Sequence, residues 1–179
     1  MNIELITPGK SFPDDFNVII EISAHSDPIK FEYDKKTNSL FVDRFMGTSM
    51  SYPANYGFVP NTLSGDGDPC DVLVVSPFTI PPNVVIRSRA LGVLHMEDDG
   101  GKDTKIIAVP ITKICPMYEN IKKLEDLPLL LRNQIKHFFE HYKDLEKNKW
   151  VKIKGWGDEQ DALLELQNGI NNLKKIDIY

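Results

Sequence analysis

The first two thirds of the chain carry short apolar runs of strand type, and the last third switches to a helical period. Residues 17–23 (NVIIEIS) form a β-type run in which Glu21 interrupts the apolar positions. Residues 29–33 alternate, so a period of two sets Lys30 and Glu32 on one face and Ile29, Phe31 and Tyr33 on the other. The polar stretch 34–39 predicts a turn, with 40–45 returning as a hairpin partner that carries Asp43 and Arg44. Residues 72–75, 84–96 and 105–109 read as further strands. Residues 47–64 read as a long irregular segment holding Tyr52 and Tyr56, and unstructured loops of that length are often functional. Beyond them, Leu131, Ile135, Phe138, Tyr142 and Leu145 make one stripe of an amphipathic helix. Asp126 is its expected N-cap, with Pro128 in the first turn. A second helix is predicted from about residue 158 to residue 174, with Leu163, Leu166, Ile170 and Leu173 as its stripe.

The densest chemistry lies just before the strand at 72–75. Gly65-Asp66-Gly67-Asp68-Pro69-Cys70-Asp71 sets three carboxylates within six residues, in a segment whose Gly and Pro exclude a regular helix. Like charges at ~4 Å repel by roughly 4 kcal/mol at an effective dielectric of about 20, so the cluster calls for positive charge, and divalent cations would supply it. An EF-hand is excluded, because counting from Asp66 puts Cys70 at position 5, Asp71 at position 6 and Pro77 at position 12. The alternative is an ordinary solvated Asp/Gly/Pro turn. A second acidic turn, residues 97–103, brings further carboxylates in Asp98 and Asp103.

Composition narrows the partners. The 179 residues, with no repeat or linker, are expected to form a single domain over 1–179. A formal charge of −5 argues against a nucleic-acid partner held through its phosphates. No apolar run reaches the ~20 residues of a membrane span, and residues 1–10 lack the pattern of a signal peptide. Cys70 and Cys115 have no metal spacing, so reduced thiols in a cytoplasm are the simplest reading. His137-Phe138-Phe139-Glu140-His141 fits a zinc-protease pattern with both histidines on one helix face. Such an enzyme needs a third ligand and a deep cleft, and only 38 residues follow, so a pair of surface or subunit-contact histidines is the simpler reading.

Asp66-Gly67-Asp68-Pro69-Cys70-Asp71-Val72 resembles the D-x-D-[PE]-x-D-[VLI] signature of the soluble family I inorganic pyrophosphatases, in their short prokaryotic form. The resemblance extends over about residues 5–156. It takes in Glu21, Lys30 and Glu32 in P-I-K-F-E, Arg44 in V-D-R-F, and Tyr52 and Tyr56 in Y-P-A-N-Y-G. Asp98, Asp103, Lys105, and Tyr142-Lys143 within F-F-E-H-Y-K-D-L-E complete it. Cys70, where the family often has an aliphatic residue, is a small departure.

The resemblance implies a mainly β fold with flanking helices, built on a closed five-stranded β-barrel of the OB type. It implies hydrolysis of inorganic pyrophosphate to two orthophosphates, with several Mg²⁺ per subunit and Mn²⁺ as a substitute. Oxygen-only ligands suit those hard ions. Asp66, Asp71 and Asp103 are then expected to hold the first metals, Asp98 and Glu32 further ones, and Glu21 one through water. Asp68 takes the proton of the attacking water. Arg44, Tyr142 and Lys143 are expected on one phosphate, with Lys30, Tyr56 and Lys105 on the other. The resemblance further implies a homohexamer. Two rivals are a phosphatase of nucleotides or polyphosphate, and an OB-type barrel that binds oligonucleotides.

Overall fold

The computed structural model describes residues 3–34 and 36–176. Among these, nine strands and two α-helices follow in order. The first five strands are β1 (Phe16–Ile22), β2 (Ile29–Asp34), β3 (Ser39–Phe45), β4 (Asn55–Phe58) and β5 (Asp71–Val74). Then come β6 (Val85–Asp98), β7 (Gly101–Lys102), β8 (Lys105–Pro110), α1 (Leu129–His141), β9 (Val151–Gly157) and α2 (Glu159–Ile176).

Five strands pair in a ring that runs β1, β4, β5, β8, β6 and back to β1. Each neighbouring pair is antiparallel except β5 with β8. This is the mainly β fold with flanking helices that the resemblance implies, and the ring of five is its OB-type barrel. The ring is uneven, because β6 has 14 residues while β4 and β5 have four each. The surplus length of β6 pairs β9 and β7, and β2 with β3 forms a separate hairpin.

The sequences of β5 and β8 show why they lie at the centre. A strand covered on both faces reads as a continuous apolar run, and β8 is buried at all six positions. Val72, Val74, Ile106 and Ala108 pack with Ala162 and Leu166 of α2. The alternate residues Leu73, Ile107 and Val109 pack with Ile135, Phe138 and Phe139 of α1 and with Tyr142 just after it. Each helix therefore covers one face of the same strands.

Several expectations shift. The fifth ring strand, β4, lies inside the segment expected to be irregular, and β9 was not anticipated. Asp126 does not cap α1. It closes a 3₁₀ turn (Leu124–Asp126), its carboxylate accepting from the N–H groups of Lys122 at 2.8 Å and Lys123 at 3.0 Å. Pro128 is extended at ψ 132° and occupies the N-cap position itself. Leu145 lies beyond the end of α1 and is 71% exposed, so the apolar stripe ends at Tyr142. Among the described residues no helix is long and apolar enough to cross a membrane.

Close approach of β1 and β4 depends on Gly57. A Cβ there would lie 1.9 Å from the carbonyl oxygen of Ile19 and 2.9 Å from the Cα of Ile20, both backbone atoms that cannot rotate away. Gly57→Ala is expected to cost about 1–3 kcal/mol through overpacking. The thermal midpoint should fall by several degrees. An unchanged midpoint would show that the ring tolerates wider spacing at that joint.

Candidate active site

All thirteen residues to which the resemblance gives a site role line one cleft of ≈ 760 Å³ beside the ring. The local folds explain how they are aimed. The pairing of β1 with β4 shifts register between Ile20 and Ile22, which makes Glu21 the extra residue of a β-bulge. Bulges re-aim a side chain, and Glu21 is turned to accept from the Tyr33 N–H at 2.9 Å. The β2–β3 register sets Lys30 opposite Arg44. The parallel β5–β8 register sets Asp71 opposite Lys105. Around the acidic turn, Gly67 takes φ +94°, and the Asp68 N–H donates to Asp66 Oδ1 at 3.0 Å. In the second acidic turn the Gly100 N–H donates to Asp98 Oδ1 at 2.7 Å. Tyr142 and Lys143 follow the last turn of α1.

Lys105 is the buried cation of the cleft. Its Nζ lies 2.5 Å from Asp71 Oδ2, 2.5 Å from Asp103 Oδ1 and 3.4 Å from Tyr56 Oη. Burial alone would discharge it, but Asp71 and Asp103 outweigh that and hold it protonated, well above the ordinary lysine value. Burial likewise raises Asp103 above its ordinary value, in spite of Lys105. Burial would raise Asp98 too, yet the Lys143 ammonium at 2.5 Å more than offsets it, and the carboxyl stays below its usual range. Burial raises the Tyr56 and Tyr142 phenols, which stay protonated.

The remaining acids lack such partners. Among the described residues none of Glu21, Glu32, Asp66 and Asp68 forms an ion pair, whereas Lys30 and Arg44 are turned toward Asp43, and Arg44 toward Glu146. Partial burial pushes Asp66 up to about 6, against the pull of the Asp68 N–H and with added repulsion from Asp103, Asp71 and Asp68. Burial pushes Glu21 up to about 8, with Asp71 adding to it. Carboxylates crowded without countercharge, and no Cys or His lining the cleft, suit a hard divalent cation. As the side chains stand, no three acids or histidines among the described residues already form a metal cage. Lys105 takes the space between two of them.

The sign of the Glu21 shift gives a test. Its folded value of about 8 lies above the ordinary 4.5, so its contribution to stability is fully present below pH 4.5 and is lost as pH rises through about 8. With chelator present, wild type should lose thermal stability relative to Glu21→Gln across that range. Parallel midpoint curves for the two proteins would exclude the effect.

Sequence reasoning left several residues in and around the cleft without a site role. Asp43 Oδ2 lies 2.6 Å from Arg44 Nη1 and 3.4 Å from Lys30 Nζ, and Glu146 Oε1 accepts from Arg44 Nε at 2.9 Å. Both orient cations of the cleft. Asp99 and Lys149 pair at its rim. Tyr52 is buried and packs at a tilt against Tyr56 and Phe138 with ring centres 4.9 and 4.5 Å apart, a packing anchor under the cleft. His137 and His141 stand outside it, exposed, with ring centres 4.6 Å apart, and His141 Nδ1 lies 2.8 Å from Asp144.

Similarity to known proteins sets the chain among the hydrolases. A family model described as inorganic pyrophosphatase matches residues 18–174. The chain is 57% identical over 174 residues to inorganic pyrophosphatase 1 of Pseudomonas syringae pv. tomato, covering 97% of this chain and 99% of that one. It is 55% identical over 175 residues to the inorganic pyrophosphatase of Pseudomonas aeruginosa, with 98% and 100% covered. Its structure is similar to that of an inorganic pyrophosphatase from Coxiella burnetii, with a TM-score of 0.91 and 54% identity over 94% of this chain and 99% of that one. The Thermus thermophilus inorganic pyrophosphatase gives 0.92 at 38% identity, covering 97% and 99%. The chain belongs to the inorganic pyrophosphatase family, in its short bacterial form.

Proposed function

We propose that this chain hydrolyses inorganic pyrophosphate to two orthophosphates in a Mg²⁺-dependent reaction, with Mn²⁺ as a substitute ion. The observation that carries the reading is the convergence of seven carboxylates and four cations, from segments scattered between residues 21 and 143, on one cleft. An acidic cleft binds a tetra-anion only with metal cations between them, and the residues present fit that role. Asp66, Asp71 and Asp103 would hold the first ions, Asp98 and Glu32 others, and Glu21 one through water. Bound Mg²⁺ would supply acidification of a water and shielding of the phosphoryl oxygens.

The chain's own groups do the rest. Asp68, exposed at the tip of the acidic turn, takes the proton from the attacking water. Arg44, Tyr142 and Lys143 bind one phosphate, and Lys30, Tyr56 and Lys105 the other, neutralising charge that builds on the phosphoryl oxygens. Each of these cations must exchange a carboxylate partner for phosphate. Lys105 and a divalent ion compete for the same two acids.

The reading extends to a homohexamer in the cytoplasm. Exposed apolar side chains support an assembly, with Phe45 at 75% and Met117 at 73% exposure. Sedimentation at pH 8 reads it directly, and a monomer there would remove the hexamer. Phosphate release from pyrophosphate, tripolyphosphate and nucleotides, each with Mg²⁺ or with chelator, tests the activity. Pyrophosphate should be the favoured substrate and chelator should abolish release. Equal rates on nucleotides would shift the reading to a general phosphatase.

A further inference from the structure

The C-terminal helix reaches the site through one side chain that lies outside the cleft. Glu165 is on α2, with its side chain 12% exposed. Ser64 Oγ donates to its Oε1 at 2.8 Å, and Lys102 Nζ donates to its Oε2 at 3.4 Å. Ser64 is the root of the acidic turn, since its N–H donates to the Asp68 carbonyl at 2.7 Å and its carbonyl accepts from the Gly67 N–H at 3.3 Å. Lys102 immediately precedes Asp103. One carboxylate thus ties the turn that carries Asp66 and Asp68 to the hairpin that carries Asp98 and Asp103.

The acidic turn has little else to hold it. A Cβ at Gly65 or Gly67 would meet nothing within 4 Å, so the tip stands clear of the body. Its ends are packed against α2, and at Cys70 the N–H also donates to Thr62 Oγ1 at 3.0 Å and the carbonyl accepts from the Val59 N–H at 2.9 Å. The Leu63 N–H donates to the Gly169 carbonyl at 2.9 Å, and Asn172 Nδ2 to the Leu63 carbonyl at 3.2 Å. At the other end, a Cβ on Gly169 would come within 2.5 Å of Cys70 Sγ. Between those ends, Glu165 grips the chain at Ser64.

We propose that Glu165 is a positioning residue, which sets the separation of the Asp66/Asp68 turn from the Asp98/Asp103 hairpin and thereby the fit of the cleft to Mg²⁺. This rests on the reading of the cleft as a Mg²⁺-dependent pyrophosphatase. Mg²⁺ demands near-ideal octahedral geometry, so carboxylates on two separate loops must be held at a fixed spacing. Loss of an outer partner of metal ligands costs about 10–100-fold in affinity or activity. The test is Mg²⁺ titration calorimetry and steady-state kinetics on Glu165→Ala, Glu165→Gln and Ser64→Ala. Glu165→Ala is expected to weaken Mg²⁺ binding and lower kcat by about 10–100-fold, with KM for pyrophosphate changed less. Glu165→Gln keeps an acceptor for Ser64 and should recover part of the loss. If Glu165→Ala fails to fold, Ser64→Ala, which removes one hydroxyl, must still weaken Mg²⁺ binding. Wild-type Mg²⁺ affinity in folded Glu165→Ala, or in Ser64→Ala where the first does not fold, overturns the inference alone. A wild-type chain that binds no Mg²⁺ overturns it together with the reading of the cleft.

Discussion

On the proposed role of Asp68 as general base, Asp68→Asn is expected to lower turnover by roughly 10²–10⁴-fold, the usual worth of such a group, and to leave the fold intact. The structure explains why the two effects separate. The Asp68 carboxylate stands exposed between Gly67 and Pro69 and, among the described residues, forms no ion pair. What holds the turn at this point is backbone, the Asp68 N–H on Asp66 Oδ1 and the Asp68 carbonyl accepting from Ser64. An amide of the same shape disturbs none of these bonds, but it cannot take a proton. Thermal midpoint and Mg²⁺ binding should stay near wild type while kcat collapses. Near wild-type kcat at neutral pH would pass the role to another acid of the cleft.

Much of this cleft was legible because its signals are local. The alternation at 29–33 and the run at 40–45, with a polar turn between, foretold the hairpin whose register sets Lys30 opposite Arg44. The acidic turn announced itself through Gly, Pro and Asp within seven residues. β4 was illegible for the converse reason. Its four residues, Asn55–Phe58, are all buried and include a glycine, so they show neither alternation nor a long apolar run. β9 did carry a signal, Val151-Lys152-Ile153-Lys154, a period of two with the lysines outward. Glu146 had none, because it meets Arg44 across 102 residues of chain and only the closed fold brings them together. The same holds for Glu165 and Ser64, 101 residues apart.

Lys105→Met is expected to lower the stability of the metal-free protein by about 3–5 kcal/mol, since it strands the buried Asp103 and the half-buried Asp71, which shared one ammonium. For a chain of this length the thermal midpoint should fall on the order of 10 °C. The deficit depends on pH in a defined sense. Without Lys105, burial raises Asp103 above its unfolded value of about 3.9 with no ammonium to oppose it. Its contribution is then present below that value and is lost as pH rises through the raised one. The gap between variant and wild type therefore widens from about pH 4 to pH 7. Saturating Mg²⁺ narrows it, because the ion replaces the countercharge, and a ligand at ~100 times its dissociation constant adds about 2.7 kcal/mol. On the proposed role of Lys105 at the phosphate, activity is expected to stay low even then. Thermal midpoints at pH 4.5 and pH 7, with chelator and with Mg²⁺, read all of this. A deficit equal at both pH values and indifferent to Mg²⁺ would show that the ion pairs carry little. Lys105 would then act through its position over the Tyr56 and Phe139 rings, 5.6 and 5.8 Å from their centres.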